Sequence, residues 1–131
     1  MSRSPQKHRI LIVDDEESIT RLLKLHLEGT GRYEVRTENR GAEALAAARA
    51  FRPHLMLLDV VMPDISGGTL ASQIQMDSEL CDIPIVFLTA VVSKEEVRER
   101  GGVVGGRPFL AKPVSMDEVF ATIAQQLPGR K

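Results

Sequence analysis

Cysteine is nearly absent: Cys81 is the only one in 131 residues. A single thiol excludes an internal disulfide, and with it the small disulfide-stapled secreted folds, and it fits a reducing compartment. A staple is not needed, because one domain of this length buries roughly two-thirds of its unfolded surface. Long hydrophobic runs are also missing. No stretch approaches the ~18 apolar residues of a membrane span, and the polar, basic start of the chain lacks the apolar core of a secretory signal. Nor does one sign of charge dominate: 17 Lys and Arg stand against 18 Asp and Glu, a net charge of -1. No basic stripe marks a direct nucleic-acid surface. The expectation is a cytoplasmic protein without a membrane segment, with a flexible lead-in over 1–8, one domain over 9–127 and a short tail over 128–131.

What is present is alternation. Ile10 to Val13 is a short, β-branched apolar run that ends in Asp14 and Asp15. Ile19, Leu22, Leu23 and Leu27 follow at helical spacing, closed by Gly29 and Gly31. Tyr33 to Thr37 alternates like a strand; Gly41 to Phe51 is alanine-rich and helical until Pro53. Leu55 to Leu58 is a third strand delivering Asp59, and Gly67 to Asp77 a third helix. Ile83 to Leu88 leads to Thr89, and Ser93 with Glu96 predicts a capping box for a short fourth helix interrupted by Gly101 and Gly102. Arg107 to Ala111 is a fifth strand before Lys112 and Pro113, and Ser115 to Leu127 a fifth helix. Five βα units predict a three-layer α/β/α domain around a parallel sheet, with ligands bound beyond the carboxyl ends of the strands.

Those ends carry Asp14, Asp15, Asp59, Thr89 and Lys112. Carboxylates gathered on one rim repel by roughly 4 kcal/mol per pair at ~4 Å in a medium of effective dielectric near 20. A lysine and a divalent cation supply the counter-charge, and all-oxygen ligands select Mg²⁺, Mn²⁺ or Ca²⁺ over zinc. Mg²⁺ takes one or two carboxylates and shares itself with a phosphate, which leaves a carboxylate free as a nucleophile toward phosphorus. Lys112 and the Thr89 hydroxyl are placed to meet phosphoryl oxygens. Glu16 and Glu17 are expected to serve the first helix electrostatically, leaving the aspartates for metal. The three histidines do not cluster, His26 is expected to be partly buried, and Cys81 reads as a plain thiol.

The motifs Ile12-Val13-Asp14-Asp15, Leu57 to Asp64 with Gly67, Leu88-Thr89-Ala90 and Lys112-Pro113 stand in one order at regular separations. Together they resemble the receiver domain of the two-component response regulator family, from about Arg9 to Leu127. The resemblance implies a flavodoxin-like, doubly wound five-stranded parallel sheet of order 2-1-3-4-5 with five helices. It implies Asp59 as the phosphoacceptor, Asp15 as a direct metal ligand, Asp14 as an acid reaching the metal through water, and the Val61 carbonyl in the same shell. It assigns phosphoryl contact to Lys112, a switch pair to Thr89 and Phe109, and a cis bond before Pro113. The implied partners are a histidine kinase or histidine phosphotransfer domain upstream and an unidentified downstream protein, in a phosphorelay where the domain is a monomer or a weak phosphorylation-linked dimer. Val61 and Val91 are apolar where the family tunes attack by water, which suggests a long-lived phosphate.

Other functions fit less well. A pseudo-receiver acting by contact alone would not need the acidic set with Lys112. A metal-dependent phosphatase places its nucleophile two residues before a second aspartate, whereas Asp14 and Asp15 are adjacent and Glu16 follows. A flavin carrier needs aromatics to stack the ring, and only 4% of residues are aromatic. The protein is therefore expected to assist its own phosphorylation without being a turnover enzyme. It is read as a stand-alone receiver or a segment of a longer protein.

Overall fold

Strands that are apolar on both faces must be covered on both faces, and this requirement shapes the molecule. The computed structural model describes residues 7–90, the backbone of 103–104, and 107–127. Five parallel strands, β1 (His8–Val13), β2 (Tyr33–Glu38), β3 (Leu55–Asp59), β4 (Ile85–Thr89) and β6 (Arg107–Ala111), lie in the order β2-β1-β3-β4-β6. The two-residue β5 (Val103–Val104) adds an antiparallel edge to β6, which the alternating pattern did not predict. Four helices are seen among the described residues: α1 (Glu17–Gly29), α2 (Ala44–Phe51), α3 (Gly67–Gln75) and α4 (Met116–Gln126). The helix expected from Ser93 and Glu96 falls outside the described residues.

Successive residues of a strand point to opposite faces, so β1 and β3 feed two cores. Ile10, Ile12, Leu55 and Leu57 pack with Leu23 and Leu27 of α1 and Val119 and Ile123 of α4. Leu11, Val13, Met56 and Leu58 pack with Ala44, Ala47 and Ala48 of α2 and with Leu70, Ala71 and Ile74 of α3. Small alanines let α2 lie close to the sheet. Serine caps start two helices: Ser66 Oγ accepts from Thr69 N–H at 3.1 Å and Ser115 Oγ from Glu118 N–H at 3.2 Å. α2 ends where Arg52 turns left-handed (φ 53°, ψ 64°), one residue before the proline.

Two local expectations need correction. The helix predicted from Gly41 begins as a 3₁₀ turn over Gly41–Glu43 and becomes α-helical at Ala44. On α1, Leu22 is 48% exposed and His26 is exposed, while Thr20 is buried with Leu23 and Leu27. Thr20 tolerates burial because its hydroxyl donates to the Glu17 carbonyl (3.1 Å) and accepts from Asn39 Nδ2 (3.0 Å).

Leucines of identical chemistry therefore differ in worth. Leu57→Ala, at the centre of the sheet, is expected to cost about 2–5 kcal/mol in urea unfolding. Leu25, 69% exposed on α1, is expected to change stability by no more than about 0.5 kcal/mol when replaced by alanine.

Candidate functional site

Parallel register brings the strand ends level. Val13 pairs with Leu58, Asp59 with Leu88, and Thr89 with Ala111. The residues just past those pairs meet on one rim. Asp14, Asp15 and Asp59 each present a carboxylate oxygen within 4.8 Å of the other two. Asp14 and Asp59 are buried and Asp15 is exposed. Backbone bonds carry the ladder onward: Lys112 N–H donates to the Thr89 carbonyl at 2.8 Å and Val60 N–H to the Leu88 carbonyl at 3.0 Å. The Lys112–Pro113 peptide is cis.

Neighbouring groups hold each acid in place. Asp14 Oδ1 accepts from Glu16 N–H at 2.9 Å, and Asn39 Nδ2 donates to the Asp14 carbonyl at 2.8 Å. Asp59 Oδ1 accepts from Val61 N–H at 3.3 Å. Lys112 reaches across with its ammonium 2.8 Å from Asp14 Oδ2, 2.9 Å from Glu16 Oε1 and 3.6 Å from Asp59 Oδ2. Its contact with the buried Asp14 Oδ2 is an ion pair without hydrogen-bond alignment. A cavity of about 250 Å³ opens over this group, lined by Asp15, Glu16, Asp59, Val61, Ala90 and Lys112.

The loop after β3 is braced. At Gly67 an added Cβ would sit 2.3 Å from the Asp59 carbonyl oxygen, so only glycine lets α3 start this close to the acid. Asp64 accepts from the Gly41 and Ala42 amides at 3.2 and 2.8 Å, and the Ala42 amide, ahead of its neighbours, lowers the Asp64 pKa. At Gly41 a Cβ would meet Ile65 Cγ2 at 2.1 Å. The loop carrying Val61 is thus clamped to the 3₁₀ turn that leads into α2.

The electrostatics show a shortage of positive charge. Burial, then the Asp14 carboxylate, pushes the Asp59 pKa up to about 7 despite the pull of Lys112. Burial opposes the charged form of Lys112, but the contacts with Asp14 and Glu16 and the charges of Asp14 and Asp59 outweigh it and raise its pKa. Hard oxygen donors with an uncompensated negative charge suit a divalent cation of the Mg²⁺ type. Asp14, Asp15 and Asp59 are the residues placed to hold one.

Asp15, Asp59, Val61 and Lys112 line the cavity, and Asp14 is buried behind it against Lys112. Thr89 is buried beside it, at the end of β4. Phe109 lies outside it, lining a separate groove of about 290 Å³ with Val60, Ala71 and Phe87. Its ring packs on Phe87 with centroids 5.1 Å apart, and it shares a face of the sheet with Thr89 across the β4–β6 register. Val61 lines the cavity yet is exposed; Val91 is outside the described residues. The sequence assigns Glu16 to the dipole of the first helix. Glu16 does occupy the N-cap position of α1, but its side chain makes no cap bond and goes to Lys112 instead. The one sequence signal for that role was its place directly after two aspartates.

The sequence profile of the response regulator receiver domain matches residues 10–124. The chain belongs to the response regulator receiver family. The receiver is 40% identical over 124 residues to the probable transcriptional regulator ycf27 of Pyropia yezoensis, a match covering 93% of this chain and 48% of that one. It is 36% identical over 119 residues to the polar-differentiation response regulator DivK of Brucella anthropi, covering 90% of this chain and 94% of that one. The chain thus spans about half the length of the ycf27 relatives and nearly all of DivK. Its fold matches the chemotaxis protein CheY4 of Vibrio cholerae with a TM-score of 0.79 and 33% identity, covering 93% of this receiver and 100% of CheY4. Among the described residues, no helix is long and apolar enough to cross a membrane.

A carboxyl group whose pKa is higher folded than unfolded destabilises the fold once it ionises. Without divalent cation, stability from this source is present below about pH 4 and is lost as pH rises through about 7. Asp59→Asn removes the effect. In metal-free thermal melts, the melting temperature of Asp59→Asn minus that of the wild type is expected to grow from pH 4 to pH 7 and then level off. Mg²⁺ at a hundred times its dissociation constant is expected to stabilise the wild type by about 2.7 kcal/mol, and Asp59→Asn by much less at the same concentration.

Proposed function

We propose that this receiver is a phosphorylation switch in a two-component phosphorelay, with Asp59 as the phosphoacceptor. One observation carries the reading: Asp59 is a buried carboxylate at a strand end, at the floor of a cavity, with an ammonium 3.6 Å away and two further acids beside it. A carboxylate with no such surroundings would be a surface turn residue.

The donor is a phosphohistidine on a histidine kinase or histidine phosphotransfer protein. An Asp59 carboxylate oxygen attacks phosphorus, the P–O bond forms, and the P–N bond breaks with its electron pair going to the imidazole. Asp14, Asp15 and Asp59, with the Val61 carbonyl, would hold the cation, which would supply neutralising charge to the phosphoryl oxygens. Lys112 pairs with a second phosphoryl oxygen and the Thr89 hydroxyl donates to a third, which is the fixed, poorly hydrated stabilisation that phosphoryl transfer uses. The Val60 and Lys112 backbone bonds keep both groups in register with the acceptor.

Movement of Thr89 toward the phosphoryl group vacates space on the face it shares with Phe109, and the ring follows. That movement reshapes the groove lined by Phe87 and Phe109 and so passes the signal to a downstream protein or to another domain of a longer chain. The apolar Val61 and Val91 offer no polar group to orient an attacking water, which favours a long-lived phosphate.

Incubation with a small phosphodonor and intact-mass measurement tests the reading. One added phosphoryl group is expected, dependent on Mg²⁺ and absent in Asp59→Asn. A folded, Mg²⁺-binding protein that gains mass equally well as Asp59→Asn would place the acceptor elsewhere. Lys112→Ala is expected to retain Mg²⁺ binding yet lose most of the phosphorylation rate.

A further inference from the structure

We infer that Glu16 is a releasable latch on Lys112: its carboxylate holds the ammonium away from Asp59 in the unphosphorylated state and gives it up when a phosphoryl group arrives. The inference rests on the phosphorylation reading above and adds a positioning residue to it.

Lys112 is closest to the two acids that are not the acceptor. Its ammonium is 2.8 Å from Asp14 and 2.9 Å from Glu16, against 3.6 Å from Asp59. To pair with a phosphoryl group on Asp59, the ammonium must loosen one of the two short contacts. Burial decides which. The Asp14 side chain is 0% exposed, and losing its cation would strand a buried charge. The Glu16 side chain is 56% exposed, so its carboxylate passes into water at little cost. Glu16 also lines the cavity that an incoming phosphoryl group enters, where its negative charge opposes an anionic arrival. Its backbone stays fixed meanwhile: the amide is bonded to Asp14 Oδ1 and the carbonyl accepts from Ile19 and Thr20 at the start of α1. The side chain can therefore leave while the loop and helix remain in place.

Two variants separate a latch from a simple repulsive charge. Glu16→Gln removes the charge and the ion pair; Glu16→Asp keeps the charge but withdraws the carboxylate by one methylene. With a small phosphodonor and Mg²⁺, Glu16→Gln is expected to phosphorylate about two- to fivefold faster than the wild type, the upper range of one partly exposed ion pair. Glu16→Asp is expected to be faster as well. In parallel, the ¹⁵N signal of the Lys112 ammonium is recorded with and without beryllofluoride as the phosphoryl mimic. The wild-type signal is expected to shift on adding the mimic, and the mimic-free signals of both variants to lie already displaced from the wild type. Melting temperatures confirm that both variants are folded.

Equal rates in the wild type and Glu16→Gln overturn the latch. So does a fast Glu16→Gln with a wild-type-like Glu16→Asp, which would make Glu16 a repulsive charge and nothing more. A Lys112 signal identical in all three proteins overturns it too. If the wild type takes up neither phosphoryl group nor mimic, the phosphorylation reading itself fails and the latch fails with it; that result is distinct from a phosphorylatable protein indifferent to Glu16.

Discussion

One ammonium set among four carboxylates governs this structure. Lys112 stands within ion-pairing distance of Asp14, Glu16 and Asp59, with Asp15 at the same rim. Like charges at ~4 Å cost roughly 4 kcal/mol per pair at an effective dielectric near 20, and one lysine offsets only part of that. The raised pKa of Asp59 reflects its burial first and the unbalanced charge of Asp14 second. A molecule that keeps such a group folded has placed it where a cation and an anionic ligand can complete it.

The rest of the fold supplies the rigidity that this crowding demands. The acids sit at the ends of two central strands buried on both faces, so their backbones cannot retreat from one another. The loop after Asp59 is pressed down at Gly67, where no side chain fits beneath the Asp59 carbonyl, and tied sideways through Asp64 to the 3₁₀ turn ahead of α2. Lys112 is delivered from a fifth parallel strand by a backbone bond to Thr89. Stability and chemistry thus share a source: the packing that buries Leu57 and Leu58 also holds Asp59 against repulsion.

Release is confined to the exposed side of the group. Asp14 is fully buried and bonded through both its side chain and its backbone, whereas Glu16 and Asp15 face solvent. The buried acid acts as a fixed anchor for the lysine and the exposed one as a partner it can lose. Phe109 lies away from the cavity, on the sheet face it shares with Thr89.

The βα alternation, the five parallel strands and the rim residues Asp14, Asp15, Asp59, Thr89 and Lys112 were legible in the amino-acid order alone. Strand runs this apolar have one parallel solution, and polar residues ending them fall at the same edge. What tertiary structure alone decided concerned contacts across large separations. Periodicity assigned Leu22 to the core of α1, but an Asn39 side chain 19 residues beyond Thr20 made the threonine the buried residue. Glu16 looked like a helix-start acid because its partner lies 96 residues away. The Asp64 tie to Gly41 and Ala42 also left no mark in the local pattern. Hydrophobic period reports which face of an element is covered; it carries no information on which long polar side chain meets which, because that depends on how the elements dock.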